Sequence, residues 1–358
     1  MGGAPDLRKP WVRVARHWVG VGDGKVVCSL CYKRATISEG GYGACGVRYN
    51  GGGTLYTLVY GLLTAVNLDP IEKKPLTHFH PGSQVLSIST AGCNFMCMFC
   101  QNWTLSQSRR GDVFGEFITP EDLVDEAVRG GSDGISYTYN EPTIFFEYMM
   151  DVASLARKRG LFNTMVTNGY MTVEAMEELS RFLDAATVDF KGNGSKDFYR
   201  KFMGVPDPEP VFNTLALMKS RGVFVEVTDL VVPKHGDSVE DLRKLVRGVI
   251  DVLGTDVPFH LLRFYPHYKM AHLPETPVRV LEKLAEVAKG EGLRYVYVGN
   301  VPGHPLENTY CPNCGELLIR RYGFYVSEWR LGEGNTGPSC GFRINVVGGL
   351  KRGRGFWR

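Results

Sequence analysis

"SQVLSIST" (83–90) and the loop after it, "AGCNFMCMFCQN" (91–102), decide how the middle of this chain is read. The first is a short apolar run between polar residues, the pattern of a strand buried on both faces. Five more such runs follow: "GISYTYN" (134–140), "NTMVTNG" (163–169), "AATVDFKG" (185–192), "VFVEVTDLVV" (223–232) and "FHLLRFYP" (259–266). "LRYVYVGN" (293–300) is a seventh candidate. Helical stretches with start signals lie between them. Thr119-Pro120-Glu121-Asp122 offers an N-cap, a proline at the first helical position and a capping acid. Ser238-Val239-Glu240-Asp241 is similar, and Thr276-Pro277 opens a further helix. Strands alternating with helices imply parallel βα units with right-handed crossovers. The expected fold is α/β, a partial (β/α)6 TIM-like barrel with small Cys-bearing extensions at both ends. Periodicity alone leaves an open doubly wound sheet as the alternative.

Three zones follow. Residues 1–80 are rich in Gly, with β-like runs such as "TLYTLVYGLL" (54–63) behind a first cysteine group; residues 81–300 form the core; residues 301–358 carry the last cysteine group and a basic tail, "KRGRGFWR". A hydrophobic fraction of 44% and 22% charged residues are those of a globular protein. A net charge of +3 demands neither nucleic acid nor an anionic membrane. No long apolar run and no apolar signal core are present, so the expectation is a soluble, cytoplasmic protein.

In such folds chemistry gathers at the C-terminal ends of the strands. The positions to inspect are the cysteine loop, Asn140 and Glu141, Thr167 and Asn168, Asp189 and Lys191, Lys234 and His235, and His267, with His260 inside the sixth strand. All are expected to converge on one mouth.

The nine cysteines form three groups: Cys28, Cys31, Cys45; Cys93, Cys97, Cys100; and Cys311, Cys314, Cys340. Tight groups with an odd total read as metal binding rather than as a disulfide framework. Soft thiolates select zinc, Cu(I) or iron–sulfur clusters. A cubane cluster ordinarily takes four cysteines, so the three of the central loop would leave one iron open to a non-protein ligand.

Cys93-x3-Cys97-x2-Cys100 after the first strand resembles the signature of radical S-adenosylmethionine (SAM) enzymes. The resemblance implies a [4Fe–4S] cluster on Cys93, Cys97 and Cys100, with SAM chelating the remaining iron. Reductive cleavage of SAM would then give a 5′-deoxyadenosyl radical that abstracts a hydrogen atom. Phe99 matches the aromatic that packs beside adenine. "NEP" (140–142) matches a GGE-like motif through Glu141, with Tyr139 and Asn140 in place of its glycines. "TNG" (167–169) and "DFK" (189–191) resemble motifs of the glycyl-radical-enzyme activases. These put Thr167 near the ribose, Asp189 at the cofactor's edge, Lys191 on the SAM carboxylate and His260 near SAM. The phrases "DPIEKKPLTHFHPGS" (69–83), "TYNEP", "VTNGYMT", "YVYVGNVPG" and "NTYCPNCGELL" are similar to the AmmeMemoRadiSam-system branch near the pyruvate formate-lyase activating enzymes. By resemblance the substrate is a protein partner and the electron donor a flavodoxin or ferredoxin. The alternatives are radical modification of a small molecule, lipid or RNA, and a non-enzymatic zinc-binding module.

Each flanking group retains three cysteines where relatives carry four; Ala35 and Gly337 stand at the missing positions. Both are candidate second metal sites, for Zn2+ completed by a His, a carboxylate or water; the alternatives are that the two groups share ligands where the chain ends meet, or that the thiols are simply buried. Other residues keep plainer readings. His78 and His80 read as a satisfied surface pair, and Met96 and Met98 as packing around the cluster loop. Gly192-Asn193-Gly194 reads as a turn. His260 as a core histidine, Glu141 as a helix cap and Lys191 as a surface lysine are the plain alternatives to the site roles.

Overall fold

A computed structural model describes residues 4–108 and 110–351; the basic tail beyond Lys351 lies outside the described residues. One nine-stranded sheet organises the chain. Its strands in chain order are β1 (Leu62–Pro70), β2 (Gln84–Thr90), β3 (Glu116–Phe117), β4 (Gly134–Tyr137), β5 (Phe162–Thr167), β6 (Ala185–Lys191), β7 (Phe224–Val231), β8 (Phe259–Arg263) and β9 (Val296–Gly299). The order across the sheet is β9-β8-β7-β6-β5-β4-β2-β1-β3. Every pair along β9-β8-β7-β6-β5-β4-β2 is parallel, and β1 joins both β2 and β3 antiparallel. The alternation of strands and helices is therefore the βα pattern read from the sequence, and the seventh candidate strand belongs to it. The two edges do not pair among the described residues, so the barrel is partial.

Helices α1 (Pro120–Arg129), α2 (Phe146–Lys158), α3 (Val173–Leu179), α4 (Glu209–Ser220), α5 (Val239–Leu253) and α6 (Val278–Gly290) fill the crossovers. Thr119 and Ser238 cap α1 and α5 by accepting from the third residue on, Asp122 and Asp241. Thr276 departs from this. Pro277 occupies the N-cap of α6, while the Thr276 hydroxyl donates to the Val231 carbonyl at 2.6 Å and accepts from the Phe264 amide at 3.1 Å. A buried strand carbonyl outcompetes the cap for that donor.

Parallel register sorts the residues onto two faces. Thr187 lies beside Glu226, Asp189 beside Thr228 and Lys191 beside Leu230, while Thr228 also neighbours His260. These face the barrel interior; Val188, Phe190, Val227 and Val231 belong to the apolar core under the helices.

The run expected as one strand over 54–63 is split. Residues Thr54–Thr57 pair with Arg48–Gly51, and the chain then turns at Gly61 into β1. Gly61 has φ +69, and a Cβ there would stand 2.6 Å from the Ile118 carbonyl, so the turn requires glycine. His78 and His80 are not a surface pair. His78 is fully buried, whereas His80 stacks on Phe162 at 5.3 Å.

The N-terminal lobe is anchored by a buried ion pair. Arg48 donates to both carboxylate oxygens of Glu147, at 2.6 and 2.9 Å, and Glu147 also accepts from the Arg16 amide at 2.7 Å. Removing one partner strands a charge, whereas an apolar pair of similar volume does not. Glu147→Ala is expected to cost about 3–5 kcal/mol, and the double change Arg48→Met with Glu147→Leu to recover most of it. Denaturant unfolding of the full chain measures both.

Candidate active site

A cavity of about 600 Å³ opens at the C-terminal ends of the parallel strands. Cys93, Cys97 and Cys100 line it together with Phe99, Asn140, Glu141, Thr167, Asn168, Asp189, Lys191 and His260. The sequence thus pointed to residues that the fold brings to one place. Lys234, His235 and His267 do not line it. The strand β7 is followed by a tight turn in which Val232 and Gly236 pair, and His235 packs against the Phe202 ring at 4.9 Å. His267 instead meets Gln101 at 3.3 Å.

The cysteine loop is held from outside. The Met96 and Met98 amides donate to the Met203 and Phe202 carbonyls at 3.0 and 2.9 Å, and the Lys269 amide donates to the Met98 carbonyl at 2.9 Å. Met96 does not shield the loop as expected: its side chain is exposed and lies against Gly204, just past the π-helix Tyr199–Met203. Gly92, at φ +93, lets the N-terminal lobe come close; a Cβ there would stand 2.7 Å from the Cys45 carbonyl. Phe99 is buried against Phe198 at 5.4 Å.

Burial pushes the Cys97 thiol up to about 12, and Lys191 pulls against it. Burial alone would lower Lys191; the charge of Asp189, then of Cys97, outweighs it and holds the ammonium above its ordinary value. Lys191 donates to Asp189 at 3.0 Å, and the other Asp189 oxygen accepts from Thr228. A cation is thereby fixed facing the thiols. Two thiolates on a single zinc lie roughly 3.7 Å apart, from a Zn–S length of about 2.3 Å. Among the described residues the central trio does not bring its sulfurs within 4.8 Å of one another.

Glu141 is more than a helix cap. Its carboxylate accepts from the Thr143 amide and hydroxyl, the Thr167 hydroxyl at 2.8 Å and the Asn168 amide at 2.8 Å. It locks the turn after β5 to the end of β4. Tyr139 takes φ +66, the left-handed backbone of the glycine that the resemblance places there, and its hydroxyl donates to Asp69 at 2.5 Å. Asn140 donates to the Thr90 and Gly92 carbonyls at 2.7 and 2.9 Å, leaving its buried Oδ1 without a donor. His260 Nε2 lies 2.7 Å from Glu226 and the ring stacks on Tyr297 at 5.0 Å.

Sequence reasoning missed Lys74, Asp69 and Arg321. Lys74 lines the cavity, is 4% exposed, and donates to Asp69 and Ser87 at 2.8 and 2.6 Å; burial lowers it to about 8. "DPIEKKPL" carries the signal only once the end of β1 is known to enter the sheet. The Gly192–Gly194 segment is more than a turn, since the Asn193 amide donates to the buried Asp229 at 3.0 Å. Cys28, Cys31 and Cys45 line a separate small cavity with Asn94, whose side chain hydrogen-bonds the Cys31 thiol. Cys311, Cys314 and Cys340 do not line this cavity or the active-site one; they lie beside a separate three-stranded antiparallel sheet, Thr309–Tyr310, Leu317–Tyr322 and Tyr325–Trp329, the C-terminal ribbon. Glutamine cannot accept with both side-chain heteroatoms, so Glu141→Gln is expected to destabilise by about 1–3 kcal/mol, read from denaturant unfolding of the full chain.

Residues 87–248 match the family described as Radical SAM superfamily. The uncharacterized protein MJ0808 of Methanocaldococcus jannaschii is 45% identical over 337 residues, covering 94% of this chain and all of that one. The pyruvate formate-lyase-activating enzyme of Clostridium pasteurianum is 24% identical over 50% of this chain and 76% of its own length. A crystal structure of Streptococcus suis SuiB bound to S-adenosylmethionine aligns over 64% of this chain and 55% of that one, at 14% identity and TM-score 0.48. No helix among the described residues is long and apolar enough to cross a membrane. With its three-cysteine loop at the mouth of a partial barrel, the chain belongs to the radical SAM superfamily and is an enzyme homologous to glycyl-radical activating enzymes.

Proposed function

We propose that Cys93, Cys97 and Cys100 hold a [4Fe–4S] cluster and that SAM occupies the rest of the cavity, joined to the iron the cysteines leave open. The observation that carries this is the meeting of three thiols, a fixed ammonium and an undonated amide oxygen in one cavity of about 600 Å³. When bound and reduced, the cluster supplies the electron that splits SAM into methionine and a 5′-deoxyadenosyl radical, which takes a hydrogen atom from the substrate.

The chain's own residues bind and orient. Asn140 Oδ1 is an acceptor suited to the SAM ammonium, and Lys191, braced by Asp189, is a point charge suited to its carboxylate. Phe99 offers a ring face to adenine. Glu141 acts through the turn it locks, presenting Thr167 and Asn168. His260 is oriented by Glu226 at one ring nitrogen. Phe99, Phe264 and Leu262 keep the inner wall apolar and exclude water.

The substrate is proposed to be a segment of a protein partner, with a flavodoxin or ferredoxin as electron donor. The cavity is in the range that one drug-sized ligand fills. One exposed aromatic, Phe324, lines the cavity.

Anaerobically reconstituted protein is expected to carry about four iron on the central loop and to form 5′-deoxyadenosine from SAM on reduction. Cys97→Ala is expected to lose both, with the fold retained by circular dichroism. Colourless protein that forms no deoxyadenosine would sink the reading. Deuterium passing from a labelled protein partner into 5′-deoxyadenosine tests the substrate class; label arriving only from small molecules would favour the other radical reading.

A further inference from the structure

The C-terminal ribbon contains the same turn twice. In the first, the Cys311 amide donates to the Glu316 carbonyl at 2.8 Å and the Gly315 amide to the Cys311 carbonyl at 2.9 Å. In the second, the Gly337 amide donates to the Phe342 carbonyl at 2.9 Å and the Gly341 amide to the Gly337 carbonyl at 2.9 Å. Gly315 and Gly341 are both left-handed, at φ +76 and +68. The turns correspond residue for residue: Cys314 with Cys340, and Cys311 with Gly337.

The thiols of these turns meet. Cys311 and Cys340 have their sulfurs 3.5 Å apart, and all three sulfurs lie within 4.8 Å of one another. That is near the roughly 3.7 Å between two thiolates on one tetrahedral zinc, and far beyond the length of about 2.05 Å of a disulfide. Among the described residues no His, Asp, Glu or further Cys joins the group. Cys311 is buried in the ribbon core, whereas Cys314 and Cys340 are exposed, so solvent reaches the ion position.

We propose that Cys311, Cys314 and Cys340 bind one zinc ion through three thiolates, with water in the fourth position, where the second turn has Gly337 instead of a ligand. The ion ties the two turns around a core of Leu318, Ile319 and Ile344 that also packs Tyr297 of the last barrel strand and Tyr295 just before it. The same ribbon puts Arg321 and Phe324 on the wall of the active-site cavity. The ion thereby braces that wall without entering the radical chemistry.

Gly337 makes the proposal testable by gain as well as by loss. Its backbone is outside the left-handed region, and a Cβ there would meet only Leu318 and the Phe342 carbonyl at 3.5 Å or more. The full chain, incubated with zinc and desalted, is expected to keep one ion with three sulfurs and one light atom by X-ray absorption. Cys340→Ser and Cys314→Ser are expected to weaken zinc at least about tenfold against a chromophoric chelator, with the iron content of the central loop unchanged. Gly337→Cys is expected to show four sulfurs and at least about tenfold tighter binding. Glu316→Gln is expected to leave the affinity as it was. Four sulfurs in the parent chain, an affinity unmoved by Cys340→Ser and Cys314→Ser, iron in the ribbon or a ribbon disulfide would overturn the proposal; loss of zinc in Glu316→Gln would overturn its water ligand.

Discussion

Glu226 has no exposed surface, yet its carboxylate organises the inside of the barrel. It accepts from the His78 amide at 2.7 Å, from Thr77 at 3.0 Å and from His260 at 2.7 Å. A carboxylate taken out of water is stable only with such a full set of donors. Here the donors, led by His260, more than offset burial and hold Glu226 below the ordinary carboxylate range. The donors come from the segment before β2 and from β8, so the carboxylate sets the position of both. His78 continues the chain of bonds. Its Nδ1 faces the Asn345 carbonyl at 2.7 Å, which can only accept, so that nitrogen carries the proton and Nε2 accepts from Tyr297. Burial lowers His78 to about 4, in keeping with a neutral ring. Tyr297 then reaches Thr309, and Arg321 donates to Thr309 and to the Thr77 carbonyl.

This network explains why a partial barrel with a small C-terminal ribbon behaves as one structure. The sheet ends at β9, and an edge strand needs cover. Tyr295 and Tyr297 flank and enter that strand, with side chains in the ribbon's core. Arg321 turns inward because the register of its strand shifts between Arg320 and Arg321. A bulge thus redirects one side chain from solvent to the interior.

The parallel strands were legible because a strand buried on both faces reads as an unbroken apolar run, and their polar ends marked the cavity. The cysteine loop, Asp189, Lys191 and His260 were found in this way. What escaped shares a different cause. β1 has an exposed stretch at Asn67 and Leu68 and pairs antiparallel, so "LLTAVNLDP" lacks the signature of its neighbours. Lys74, in a charged "EKK", looks solvated until Asp69 and Ser87 are known to surround it. His78 looked superficial because its partner carbonyl lies at Asn345, far along the chain. Burial of a polar group is decided by distant partners, and local pattern carries no record of them.

The same reasoning separates the three cysteine groups. The central loop is pinned from the π-helix Tyr199–Met203, from Lys269 and from the Cys45 side, which fixes the backbone that carries its thiols. Its sulfurs are spread, and a lysine faces them. The ribbon's thiols are gathered close and exposed, on a repeated turn whose second copy has glycine in place of the first cysteine. The N-terminal thiols are enclosed beside Asn94, whose Oδ1 accepts from Asn168 at 2.7 Å. Asn168 in turn is held by Glu141. Asn94 belongs to the cysteine loop, so the N-terminal thiols touch the active site through that loop, and a shift of the lobe would pass through Asn94 to the turn carrying Thr167 and Asn168.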